Sequence, residues 1–292
     1  HGRNVAVGGN ALRDLNAGAN ALNVAVGYDA GLLMSTGTNN TIIGALAGDA
    51  LTTGSYNVAI GRNALSAEDT HGTNVAVGYD TLALQNAGAD AYNTAVGYAA
   101  GVNVSTGVQN TIVGGNAGKA FTTGQRNVAV GYGALESEDA HGLNTAIGWA
   151  ALNTLDAGAD GLNVAVGYSA GLAMTTATHN TLIGANAGDA LTTGAGNVAV
   201  GFNALTTEDG NGTATAIGYR ALATLNAGAE SYNVAVGYDA GLAMTTGVDN
   251  TIVGGLAGGA LTTASHNTVL GKNALGSATV GSENVSIGAS AM

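Results

Sequence analysis

Cysteine and proline are both absent from the 292 residues. Without cysteine there are no disulfides and no thiolate metal sites, and the redox compartment stays open. Without proline, every residue keeps its backbone N–H, which suits a chain whose amides nearly all belong to a ladder. Charge is scarce as well, at 9% of residues against roughly 25% in an average soluble domain. Seven Lys and Arg face 19 Asp and Glu, for a net charge of −12. That balance argues against nucleic acid, whose phosphates need cations, and against an anionic membrane held by charge. No apolar run approaches the ~18 residues of a spanning helix, so no membrane insertion is expected in this segment. The chain opens on His1 rather than Met, and a fragment of a longer fibre is the expectation.

What is abundant is small. Gly accounts for 49 residues, and much of the 46% hydrophobic content is Ala. Small side chains make a thin core that buries little apolar area per residue. Burial against other copies of the chain is therefore favoured.

One phrase organises the sequence. Asn23-Val24-Ala25-Val26-Gly27 recurs in 17 copies, starting at Asn4 and ending at Asn284, with Ala214 the one register that lacks its Asn. Sixteen copies carry Ala three residues after the Gly, and Thr81 is the exception. Spacings run 19, 17, 17, 17 and repeat four times, a superperiod of 70 residues. Residues 4–73, 74–143, 144–213 and 214–283 are thus four blocks, and 284–292 opens a fifth. The order survives outside the motif: four residues past the Gly stand Leu12, Gly31, Gly48 and Leu65, and the Leu-Gly-Gly-Leu order repeats in each block. A fixed short period marks a solenoid, in which one coil cannot bury its apolar face alone. The expectation is a single all-β solenoid domain over 1–292, with 17 coils of 17 or 19 residues.

The motif alternates large and small between turn formers, a strand signal. Val24 and Val26 share one face, and Ala25 lies on the other with Asn23 and Gly27. Which face is inward is left open by this pattern. The rest of the coil, such as Ala30 to Gly37, reads as a return strand or an extended segment with a Gly turn. Identical phrases in one direction require parallel coils. The Asn is expected at a corner, hydrogen-bonded to the Asn one coil away. The Gly is expected to supply a positive φ or room for a neighbouring backbone. Gly recurs too often for stable helices.

Two groups of residues are candidate sites. Glu68-Asp69-Thr70-His71-Gly72 recurs as Glu138-Asp139-Ala140-His141-Gly142 and as Glu208-Asp209-Gly210-Asn211-Gly212. Carboxylates and imidazole on one turn could ligate a cation, with Glu68, Asp69, His71, Glu138, Asp139 and His141 as the ligands. Asn in the third copy suits oxygen ligation better than zinc. The alternative is a solvated acidic turn touching the adjacent wider coil. The second group follows the motif Gly: Tyr28, Tyr79, Tyr98, Tyr132, Trp149, Tyr168, Phe202, Tyr219 and Tyr238, interrupted by Gly115 and Gly255. Such a ladder could stack on sugars or on a partner, or it could simply cover a corner. Paired Thr such as Thr52-Thr53 and Thr122-Thr123 suggest an ice-binding row, but Asp69-Thr70 and Asn86-Ala87 interrupt it. Neither a nucleophile with its base nor a pair of catalytic carboxylates is evident, so no enzyme activity and no cofactor are expected.

The repeat Asn-x-[Val/Ala/Ile]-[Val/Ile]-Gly followed by Ala resembles the head domains of trimeric autotransporter adhesins. It is equally similar to bacteriophage tail-fibre repeats, through phrases such as Asn93-Thr94-Ala95-Val96-Gly97-Tyr98 and Asn144-Thr145-Ala146-Ile147-Gly148-Trp149. The resemblance covers essentially the whole chain. It implies a left-handed parallel β-roll (a β-helix), assembled as a parallel homotrimer about a shared axis. It further implies a structural and adhesive role in an extracellular fibre, on a cell surface or a virion, with a host receptor or glycan as partner. The coils here are longer than the adhesin type, and extra residues are expected to widen the outer turn. A self-standing surface-binding or ice-binding solenoid is the alternative.

Overall fold

The computed structural model describes residues 2–18 and 20–292. The fold is all-β: 17 parallel strands of three residues each, one per solenoid turn, with no helix among the described residues. The chain divides into two compact units, His1–Asn144 and Thr145–Met292. The first unit holds eight strands, from Val5–Val7 to Val128–Val130. They pair in sequence order and in register, Val5 with Val24 and Ala25 with Ile42. The second unit holds nine strands, from Thr145–Ile147 to Val285–Ile287, paired in the same way.

The middle residue of the motif points into the coil. Ala25, Ala59 and Ala76 are fully buried, as are Ile42 and Ile112, while the flanking Val and Thr of the first unit are half-buried or exposed. The second unit repeats this with Ala165, Leu182 and Ile252 inside. Val therefore faces outward, and the inward position is taken by Ala, Ile or Leu. Space for it is set by what comes from the far side of the coil. Met34, Leu51, Val104 and Phe121 are fully buried in the first unit, as are Met174, Leu191, Met244 and Leu261 in the second.

The Gly positions of the Leu-Gly-Gly-Leu order have a steric reason. A methyl on Gly48 would sit 2.7 Å from Leu51 Cδ1, and one on Gly118 would sit 2.7 Å from Phe121 Cε2. In the Leu51 and Phe121 coils only hydrogen fits at the earlier position, whereas Leu152 and Leu222 are buried together with Leu155 and Leu225 three residues on. Coils with Leu65, Leu82 or Leu135 at the earlier position fill the layer with that Leu instead, at φ of 53°, 48° and 49°. A left-handed backbone costs a leucine roughly 1–2 kcal/mol, which full burial of the side chain, at roughly 1.5–3 kcal/mol, offsets.

No return strand forms among the described residues. The far side of a coil is a chain of tight turns, such as Leu32 N–H to Asp29 O at 3.2 Å and Met34 N–H to Gly31 O at 3.1 Å. Successive coils are still joined there, by Gly31 N–H to Ala47 O at 3.0 Å and Ser35 N–H to Thr52 O at 2.8 Å. Nearly every amide is thereby used, as the absence of Pro allows.

The motif Asn does more than stack. Asn23 Oδ1 accepts from the backbone N–H of Asn40 at 2.9 Å, and Asn23 Nδ2 donates across its own coil to Gly37 O at 2.8 Å. Asn40 Nδ2 adds an amide-to-amide bond to Asn23 Oδ1 at 3.2 Å. The left-handed residue is the one before the Asn, as at Leu22, Asn39 and Tyr56, rather than the Asn itself.

Ala214 receives this ladder, since its N–H donates to Asn197 Oδ1 at 3.0 Å, but has no side-chain oxygen to pass it on. Asn74, at the same place in its block, leaves its Nδ2 buried without a hydrogen-bond partner. Ala214→Asn would gain one acceptor and bury one such nitrogen. The expected change in stability by urea denaturation is thus within about 1 kcal/mol of zero. A larger loss would mean that the Asn side chain does not fit this corner.

Candidate functional site

Three surfaces are built by the coils. The first is the outward strand face. Its residues are Val, Ile and Thr in the first unit, with Leu270 added in the second, and none is charged. Within the first unit Ile43 and Val96 are exposed, and within the second Ile147, Val164, Ile183 and Ile217 are.

The second surface is the aromatic row. In the first unit Tyr79 and Tyr98 stack at 5.5 Å between centroids with planes 8° apart. Arg62 lies 5.6 Å from the Tyr79 centroid and donates from Nη1 to Tyr79 Oη at 2.8 Å. Tyr28 and Tyr132 lean over Gly9 and Gly115, where an added methyl would meet ring carbon at 3.3 Å. In the second unit Trp149 stacks on Tyr168 at 4.8 Å, and Phe202, Tyr219 and Tyr238 form a run at 5.4 and 5.1 Å. Arg220 lies 5.2 Å from the Tyr219 centroid and makes a two-pronged pair with Asp239 at 2.9 and 2.6 Å. Each stacked ring gives a face to its neighbour, so edges and hydroxyls remain for solvent. Face-on sugar stacking is confined to rings at the ends of runs. Sequence reasoning missed a second set, Tyr56, Tyr92 and Tyr232 with Leu22 and Leu162, all exposed. The signal was available: each immediately precedes a motif Asn.

The third is the acidic turn. Glu68 and Glu138 are buried rather than solvated. Their place in the coil is the one that Met34, Leu51 and Phe121 fill elsewhere. Glu68 Oε1 accepts from His71 N–H at 3.1 Å, and Glu138 Oε1 accepts from His141 N–H at 3.2 Å. Thr70 Oγ1 donates to Asp69 Oδ1 at 3.0 Å and lies 2.9 Å from His71 Nδ1. One ligand atom from each of Glu68, Asp69 and His71 falls within 4.8 Å of the others, and the same holds for Glu138, Asp139 and His141. The turn does touch the wider coil, through Gly72 N–H to Asp90 Oδ1 at 3.0 Å.

Burial pushes the Glu68 carboxyl up to about 7, against the downward pull of the His71 amide, with the Asp69 charge adding to the rise. Burial also raises Glu208, Asp49 and Asp189. In the unfolded chain such groups lose their protons near 4.3 for Glu and 3.9 for Asp. Between roughly pH 4.5 and 7 the folded state thus holds a proton that the unfolded state has lost. Stability should fall as pH rises through that window and level off above it. Melting temperatures from pH 4.5 to 7.5 check this, and Glu68→Gln should flatten the slope. A melting temperature that climbs with pH, equally in both proteins, would contradict it.

Several threonine hydroxyls are engaged with backbone. Thr52 Oγ1 and Thr53 Oγ1 donate to Asp69 O and Thr70 O at 2.9 and 3.1 Å, and Thr192 Oγ1 donates to Asp209 O at 2.8 Å. No helix among the described residues is long and apolar enough to cross a membrane. No family model, curated protein or solved structure matches the chain.

Proposed function

We propose that this chain is a structural and adhesive segment of an extracellular fibre, on a cell surface or a virion, and that it performs no catalysis. Three copies run parallel, in left-handed coils of 17 or 19 residues, with the Asn-x-x-x-Gly strands nearest a common axis. The observation that carries this reading is the outward strand face. In each unit it presents uncharged, mostly β-branched side chains at every turn. A flat apolar sheet face left in water invites association. Enclosing it among copies of itself removes that hazard and adds apolar burial to a chain rich in Ala and Gly. The threefold choice rests on the resemblance of the repeat to trimeric adhesin heads and tail fibres. Acids lie elsewhere: Asp90, Asp160 and Glu230 are exposed and none is on a strand. Tripling the charge of −12 is therefore tolerable.

The lateral faces, with their aromatic edges, are the surfaces left for a host receptor or glycan. A self-standing ice-binding solenoid is the weaker reading. It needs threonine hydroxyls free to face the lattice, and those of Thr52, Thr53, Thr122, Thr123, Thr192 and Thr193 donate to carbonyls instead.

Absence of Cys makes a clean test. Val77→Cys on the strand face should form disulfides between chains under mild oxidation, whereas Thr53→Cys on the far side should not. Equal yields from the two positions would refute the arrangement.

A further inference from the structure

We infer that the first two acidic turns are binding sites for a divalent first-row cation of the zinc type. Each ion is held by the glutamate, aspartate and histidine of its turn: Glu68, Asp69 and His71, or Glu138, Asp139 and His141.

The clustering is only the start of the argument, since carboxylates often gather without a metal. What points to a ligand is an unused atom in each turn. Glu68 is wholly buried, and its Oε2 has no hydrogen-bond partner. His141 Nδ1 is likewise buried without a hydrogen-bond partner and lies 3.8 Å from Glu138 Oε1. Two ligands at about 2.0–2.1 Å on a tetrahedral ion are about 3.3 Å apart, so a small closure would seat one there. A buried carboxylate with an unsatisfied oxygen is costly, and a cation beside it removes that cost.

The third turn differs chiefly at the histidine position. Glu208 has both oxygens occupied, Oε1 by Asn211 N–H and Oε2 by Ala227 N–H, each at 3.3 Å. Asn211 replaces the histidine, and with its amide rotated by half a turn its oxygen would accept from Gly228 N–H and Ala229 N–H at 3.2 Å. That turn is complete in itself. Its Asn therefore says nothing about the ion, and the argument for oxygen ligation drawn from it lapses. The two remaining turns offer one imidazole and two carboxylates each, a donor set that suits zinc better than calcium, which takes six to eight oxygens.

The test is calorimetric titration of the 292-residue chain, stripped with chelator and desalted, using zinc chloride. The expected result is two equivalents bound per chain. His71→Asn, which copies the third turn, should leave one, and His71→Asn with His141→Asn should leave none, with circular dichroism unchanged. Glu68→Gln should act as His71→Asn does, and calcium chloride should give no saturable heat. The inference is overturned if zinc does not saturate the wild type, if the histidine changes leave the stoichiometry unmoved, or if calcium binds at the same turns.

Discussion

Gly61→Ala should cost about 3 kcal/mol or more in urea denaturation, enough to unfold a marginal protein. The added methyl would sit 2.2 Å from the carbonyl oxygen of Gly78 in the next coil, at a φ of +131°. Neither party can yield. The contacting atom is backbone, and Gly61 N–H is itself bonded to Ile43 O at 2.7 Å. Moving the coils apart to admit the methyl would break the ladder on both sides of the residue. Gly88→Ala provides the contrast, because its φ is +70° and nothing lies within 4 Å of the new methyl. Its cost should be the left-handed penalty alone, roughly 1–2 kcal/mol. Equal losses at the two sites would mean that coil spacing is looser than described.

Val77→Asp should convert the proposed trimer to monomers while leaving the coil folded. Val77 points out of its coil and is half-buried in the single chain, so the substitution leaves the interior of the coil untouched. About a threefold axis it would place three carboxylates together in apolar surroundings, at a cost of several kcal/mol each. Trimerisation should weaken by at least about a thousandfold. The readout is sedimentation with circular dichroism measured in parallel. A folded variant of unchanged mass would show that this face is not the interface.

The repeat, its 70-residue superperiod and the parallel strands were legible because the motif spacing states them directly. Strand position was legible from the Val-Ala-Val alternation. Which face turns inward was not, since Val and Ala are both apolar and either could line a coil. The answer needs the whole coil: Ala25, Ile42 and Ile112 point inward and meet Met34, Leu51 and Phe121, which stand nine residues on and fill the interior. The same register misled on Glu68. Beside Asp69 and His71 it reads as part of a solvated turn, yet it stands at the coil position of Leu51 and points inward. Counting offsets from the motif Asn would have found it. The aromatic row was legible as a row, but mutual stacking of its rings depends on side-chain torsions that spacing does not encode.

Sedimentation equilibrium of the folded wild-type chain tests the central claim most directly. The assembly proposed here predicts a single species at about three times 28.1 kDa, unchanged over a hundredfold dilution. A folded species at 28.1 kDa under the same conditions would contradict it.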